Sequence, residues 1–322
     1  MGHDPRMKSR VHPKYKTKYR VSNWAEYDQA LVQRGDVTLW ISEGRKRSFR
    51  VIDDWKPAPS GGRGGQRKFS DHAIETALTL RFVFNLPLRQ AEGFLRSIIS
   101  MMGVDLEAPD HTTLSRRSRR LDVGLDRIAS SKPIHLIVDS TGLSIVGEGE
   151  WAAVKHGGSG KRAWKKLHLG VDRSGSIVAE VLSDGNADDS NTALNIIDRM
   201  TAPIASFTAD AAYDTTAIYE AAGARDAKVI VPPRKTAIRS RRPGPRDRTV
   251  SRVKQLGRRH WKKASGYHQQ ARVENTFFRY KSILGDRLRA RHPESQEAEA
   301  LIACNILNRM FELGRPKSFA IK

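Results

Sequence analysis

Between Pro133 and Pro233 the apolar residues switch repeatedly between a period of two and a helical period, and no other feature restricts the fold so much. The segment "PIHLIVDSTGLSI" predicts a strand, and "KKLHLGVDRSGSIVAEVL" predicts two more joined by a tight turn at Asp172–Gly175. "DDSNTALNIIDRM" is helical, with Asp188 or Asp189 placed to cap it. "IASFTAD" predicts a fourth strand, "YDTTAIYEAAGAR" a helix, and "KVIVPP" a fifth strand stopped by two prolines. Long helices run on from there. This order predicts an α/β domain with a mixed five-stranded sheet: an antiparallel meander, then strands joined by crossover helices.

Ahead of the sheet the chain changes character. Its first twenty residues are basic and poor in apolar side chains, which predicts an unstructured arm. A mixed stretch from Val21 to Ile41 predicts a small helix and strand, and "KPAPSGGRGGQRK" reads as a linker. Helical spacing begins at Phe69: Ser70 can cap, and Ile74, Ala77, Leu78 and Phe82 share one face. A second helix carries Leu88, Ala91, Leu95, Ile98 and Met102, with Gly103 at its end. "HTTLSRRSRRL" predicts a short third helix bearing Arg116, Arg117, Arg119 and Arg120, an arrangement that resembles a helix-turn-helix. The expected divisions are an arm and small mixed segment (1–56), a linker (57–68), a helical DNA-binding domain (69–130), the sheet domain (131–316) and a tail (317–322).

The formal net charge of +22 over 322 residues points to a polyanionic partner, and nucleic acid comes first. No apolar run is long enough to span a bilayer, and the N-terminus has no apolar leader. One cysteine, Cys304, leaves no internal disulfide and suits a reducing cytoplasm. Its neighbours Leu301, Leu307 and Met310 place it in a core.

Asp139 closes the first predicted strand and Asp210 the fourth. An unpaired charge there costs several kcal/mol, so each needs a salt-bridge partner or a cation. If the two strands are parallel neighbours, about 4.8 Å apart, their carboxylates emerge at the same edge. A third acid, Glu274, lies in "YHQQARVENTFFRYKSILGDR". There Val273, Phe277, Tyr280 and Leu284 form one apolar stripe, and Tyr267, Glu274 and Lys281 form another. Oxygen ligands without His or Cys suit Mg²⁺ or Mn²⁺, and two such ions can activate a nucleophile and stabilise a leaving oxygen on phosphate.

Four motifs, "VDSTGL", "GEGEWAAVKHGGSGKRAWKKLHLGVD", "ADAAYDT" and "YHQQARVENTFFRYKSILGDRLRAR", together resemble the bacterial insertion-sequence transposases of the DDE class, with the insertion-sequence five family the nearest group. The resemblance covers roughly Lys68 to Leu313. It implies an RNase H-like catalytic fold, a two-ion Mg²⁺ or Mn²⁺ site on Asp139, Asp210 and Glu274, and DNA as substrate. Tyr267 and Lys281 match the family's positions around the Glu and are expected to place the DNA end. Two positions depart from the pattern: Gln270 stands for an Arg, and Ala211 for a Gly.

The resemblance further implies terminal inverted repeats and target DNA as partners, bound by a homo-oligomer, in a bacterial, nucleoid-associated setting. Lys155 and His156, before a Gly-rich loop, are expected beside the active site. The basic stretch Arg234–Lys263, with Arg258 and Arg259, is expected on the DNA backbone. Asp214 reads as a cap for the helix after it. The expected activity is cleavage and strand transfer. Its rivals are a nuclease that cannot join and a DNA-binding repressor with an inert acid triad.

Overall fold

A computed structural model of the chain describes residues 18–41, 54–57, 66–126, 132–146, 164–241 and 243–321. Strands β2 (Ile134–Ile145), β3 (Trp164–Val171) and β4 (Ile177–Asp184) form the antiparallel meander. Gly175, at φ 93°, makes the turn between β3 and β4, where Asp172 accepts the amides of Ser174, Gly175 and Ser176. β5 (Ile204–Thr208) lies parallel beside β2, and β6 (Lys228–Ile230) parallel beside β5. The order is β4-β3-β2-β5-β6.

The sheet has six strands rather than five. The two-residue β7 (Arg287–Leu288) pairs with the far end of β2, opposite Ser144 and Ile145. β5 reaches only Ile137 on the same edge. From Val138 to Leu143 that edge of β2 therefore has no strand beside it among the described residues.

Helices cover both faces. α6 (Asp189–Arg199) and α7 (Thr216–Gly223) pack on Leu136, Val138 and Phe207. Asp188 caps α6 by accepting the Asn191 amide at 2.9 Å. On the other face α10 (Ala271–Ile283) and α11 (Pro293–Leu313) meet Ile137, Leu143, Leu167 and Leu169. Val273, Phe277 and Tyr280 are the buried stripe of α10, as their spacing predicts, and Cys304 is fully buried. A basic hairpin, α8 (Pro245–Leu256) and α9 (Arg258–Ser265), precedes α10.

The front of the chain builds a helical layer. α3 (Asp71–Val83) starts at Ser70, whose hydroxyl accepts the Ala73 amide at 3.0 Å. α4 (Leu88–Met101) ends before Gly103 at φ 65°. α5 (His111–Arg117) is capped by Asp110 and runs into a tight turn at Ser118–Arg120. Their apolar faces close over one side of α11: Ala298, Ile302, Ile306 and Met310 join Ile74, Leu80, Leu95 and Leu114 in one cluster. The other side of α11 gives Ala300, Ala303 and Leu307 to the sheet.

Two segments near the ends differ from expectation. Lys18–Arg20 belong to β1 (Lys18–Val21), which pairs antiparallel with β8 (Ser318–Ile321) from the expected tail. After α1 (Trp24–Gln33), the β-branched "VTLWI" forms a short helix α2 (Val37–Ile41) instead of a strand, because Asp36 accepts the Thr38 amide and Trp40 is drawn into the core. Among the described residues no helix is long and apolar enough to cross a membrane.

Glu180 on β4 carries a testable cost. Its Oε1 is enclosed without a hydrogen-bond partner among the described residues, and burial pushes its carboxyl up to about 8. The folded state thus binds this proton more tightly than the unfolded chain does. The cost of ionising Glu180 is absent below about pH 4.5, its ordinary value, and is complete above about pH 8. Glu180→Gln is expected to be more stable than wild type, by a margin that grows across that window. Denaturant melts at pH 5 and pH 8.5 with an equal gap between the proteins would disprove this.

Candidate active site

Asp139 and Asp210 stand at matching levels, although Asp139 does not close its strand as expected: it lies within β2, opposite Leu169 of β3, because the β2–β3 pairing runs on to Ser144. The last β2–β5 pair is Ile137 with Thr208, and each acid follows two residues later. Asp139 therefore stands where the edge of β2 loses its strand partner. Its Oδ1 accepts the Ser140 amide at 2.8 Å, and Asp210 Oδ1 accepts the Ala212 amide at 2.8 Å. Among the described residues neither Oδ2 receives a hydrogen bond. Glu274 sits in the first turn of α10, exposed, one residue after the fully buried Val273. Burial, then the charges of Asp210, Glu274 and Asp189, push the Asp139 carboxyl up to about 6. The three acids thus feel one another.

Oxygen donors gathered with like charge fit a hard divalent cation. Among the described residues no group of three or more His, Cys, Asp or Glu side chains stands close enough together to hold a metal ion. The three carboxylates act on one another through their charge, and a bound ion would have to draw them together.

Gln270 explains how the gap in the sheet is tolerated. It is 3% exposed, and its Nε2 donates to Val138 O at 3.2 Å. A side-chain amide thus stands in for the missing strand at the residue before Asp139. On the opposite face Ser140 Oγ donates to Asp189 at 3.0 Å, and Lys166 Nζ donates to Asp189 at 3.1 Å and to Ala187 O at 2.7 Å. The buried His168 ring shares a 2.8 Å hydrogen bond with the Ser183 hydroxyl. These bonds brace the peptide that carries the acid. In the sequence Gln270 is a departure from a pattern, and Asp189 is one of an acidic group with Asp184 and Asp188 that suits a helix cap and solvated loop or a cation. Their hydrogen-bond partners come from strand register, which spacing does not reveal.

Tyr267 is near the acids but not on α10. It opens a tight 3₁₀ turn, Tyr267–Gln270, after Gly266 at φ 81°. Its ring lies 6.4 Å from the buried Trp261, and Lys262 Nζ is 4.6 Å from the ring centroid. Burial, followed by Asp210, Glu274 and Asp139, pushes its hydroxyl up to about 12. Lys281 is exposed two turns beyond Glu274 on α10. Trp164 is 46% exposed and lies against Gly142 and Gly185. Lys155 and His156 lie outside the described residues.

The expectation that Asp214 caps a helix is overturned. Thr215 caps α7, and Asp214 is 4% exposed in a two-pronged ion pair with Arg246, at 2.8 and 2.6 Å. It also accepts the Arg234 amide at 3.0 Å. Asp184, at the end of β4, pairs with Lys165 at 2.6 Å, and its carbonyl accepts the Ala187 amide at 3.0 Å.

A second feature lies in the helical layer. A cleft of about 720 Å³ runs between the start of α4 and α5, lined by Arg89, His111, Thr112, Ser115, Arg116 and Arg119. None of the three acids lines it. Thr112, Ser115 and Arg116 form the exposed face of α5, and Arg119 in the turn that follows is exposed beside them. Arg117 turns inward to Phe69 O at 2.8 Å and to Asp71. Arg120 is exposed at the end of the turn, Arg259 is exposed on α9, and Arg258 donates to Pro233 O at 2.7 Å. Arg89 went unnoticed because it lies on a different helix from the arginine cluster.

Residues 130–309 match a family described as a transposase DDE domain, and residues 32–148 match a second family with the same description. An uncharacterized protein of Aquifex aeolicus (strain VF5) is 26% identical over 164 residues, 46% of this chain and 49% of that protein. The chain thus spans about half the length of that curated relative. The first match covers more than half of the chain and carries Asp139, Asp210 and Glu274 together. The chain belongs to the DDE transposase family.

Proposed function

We propose that the chain cuts DNA at the ends of an insertion sequence of the insertion-sequence five type and joins the freed 3′-OH ends to target DNA. In this reading residues 131–316 form an RNase H-like catalytic domain, and residues 69–130, helix-turn-helix-like, hold the DNA end. What supports it most is that Asp139, within β2, and Asp210, just after β5, stand at the same level of neighbouring parallel strands, with Glu274 close enough to act on Asp139.

Asp139, Asp210 and Glu274 are the ligands for Mg²⁺ or Mn²⁺, two ions in this proposal. Bound ions would supply activation of water and stabilisation of charge on the phosphate. In cleavage, a water oxygen bonds to phosphorus, the 3′ oxygen leaves, and it takes up a proton. In joining, the freed 3′-OH loses its proton to solvent and bonds to a target phosphorus, expelling a target 3′ oxygen. No protein–DNA covalent bond forms. Ser140, Asp189 and Gln270 hold the strand carrying Asp139 still through both steps. Lys281, a flexible point charge, and Tyr267 position the DNA end. The test is incubation with the inverted-repeat DNA that flanks the gene. Joined product with Mg²⁺, none with EDTA, supports the reading. Nicks without joining favour a plain nuclease, and binding without nicks a repressor.

The exposed face of α5 makes a further prediction. Arg116→Ala is expected to weaken binding of the inverted repeat by about 1–3 kcal/mol if the guanidinium reads a guanine. Arg117→Ala is expected to lower folding stability with affinity per folded molecule unchanged. Replacing Arg259 should reduce the salt slope by about 0.9 per lost phosphate contact on any DNA. Fluorescence binding across a salt series, with a thermal melt of each variant, checks all three. Equal affinity losses for Arg116→Ala and Arg117→Ala would defeat the assignment of faces.

A further inference from the structure

Phe278 is 72% exposed on α10. Its neighbour Phe277 is 7% exposed and packs with Val273 and Tyr280 against the sheet, so the core does not need a second ring. Helix geometry puts Phe278 about 40° around the axis and about 6 Å along it from Glu274. Lys281 follows on the same side, one turn further. The exposed stripe thus runs acid, ring, cation, with Asn275 and Ser282 beside it. Other exposed aromatics differ. Trp24 stacks near Tyr27, Trp164 covers Gly142 and Gly185, and Tyr19 and Phe319 sit on the β1–β8 ribbon. Among the described residues Phe278 makes no ring or cation contact.

We infer that Phe278 stacks on the base of the nucleotide next to the scissile phosphate, holding it out of the duplex while Glu274 and Lys281 engage the backbone. The inference rests on the transposase reading above. A phosphate held near Glu274 brings its own nucleotide within reach of a ring one turn away. A bare aromatic face recognises any base through its π surface and competes with the stack the base leaves. The chain's charge of +22 supplies affinity for the backbone, so the ring adds position instead of grip. A peptide or membrane partner would leave the adjoining acid and lysine unexplained.

The experiment uses the full chain, Mg²⁺ and a duplex carrying the inverted repeat that flanks the gene. The terminal base pair is either matched or mismatched, and 5-iodouracil replaces the terminal base in a parallel sample. Phe278→Ala is expected to slow cutting of the matched end by about 10- to 100-fold, the range that base–aromatic stacking supports. Affinity should change by less than about threefold, since phosphate contacts dominate it. The mismatched end should recover most of the rate, because its base is already unpaired. Phe278→Trp should cut the matched end well, and light should crosslink the iodinated base to position 278 in the wild type. If Phe278→Ala cuts both ends at wild-type rates, the ring is idle surface. If both ends slow equally without rescue, its role is packing or general binding, and the inference fails. A wild type that cuts neither end overturns the transposase reading itself, a result distinct from those two.

Discussion

Asp139→Asn is expected to slow DNA cleavage on the order of 10³-fold or more while leaving DNA affinity within about threefold, and Asp210→Asn and Glu274→Gln should do the same. The carboxamide keeps the shape but loses the charge that a cation needs. Affinity persists because the cations of the helical layer and the α8–α9 hairpin lie elsewhere in the chain. Asp139→Asn should also match or exceed wild type in thermal stability without metal, since it removes one of several like charges held together. This separates a functional acid from a structural one, whose loss lowers activity and stability together. Single-turnover cleavage, filter binding and a melt on each variant decide the matter. A variant that cuts at the wild-type rate drops out of the triad. One that loses activity only in proportion to its folded fraction was structural.

Asp214→Ala is expected to cost about 3–5 kcal/mol of folding stability, because it leaves Arg246 uncompensated in a largely buried site. A lost helix cap would cost only about 1 kcal/mol, so the magnitude separates the two roles. Arg246→Ala should cost a similar amount. Replacing both by apolar residues of similar volume should recover much of it, since neither charge then needs a partner. Urea melts give the answer, and a loss near 1 kcal/mol for Asp214→Ala would mean that the ion pair contributes little. This pair ties α8 to the turn after Asp210, so the basic hairpin and the second acid are held in one frame.

The sequence revealed those parts of the molecule in which local pattern and tertiary structure agree. Five strands, the cap at Ser70, the buried stripe of α10 and the matching levels of Asp139 and Asp210 all follow from period and turn chemistry. β7 was hidden because two residues show no alternation. α2 was misread because β-branched residues favour strands until a cap and a buried Trp40 override them. Arg116 and Arg117 are adjacent in sequence yet about 100° apart on the helix, so only packing tells which meets solvent. Gln270 was opaque for a different reason: its role depends on where β5 stops and β7 starts, which is a matter of register between distant segments.

The C-terminal helix α11 has one face in the sheet's core and the other in the helical layer. A copy of the gene interrupted shortly before codon 293 thus loses Ala298, Ile302, Ile306 and Met310 from the layer that carries the α4–α5 cleft, although every residue of α3, α4 and α5 is still translated. A chain that stops there is expected to lose the fold of the helical layer together with that of the sheet, in one step, because both were closed by the same helix.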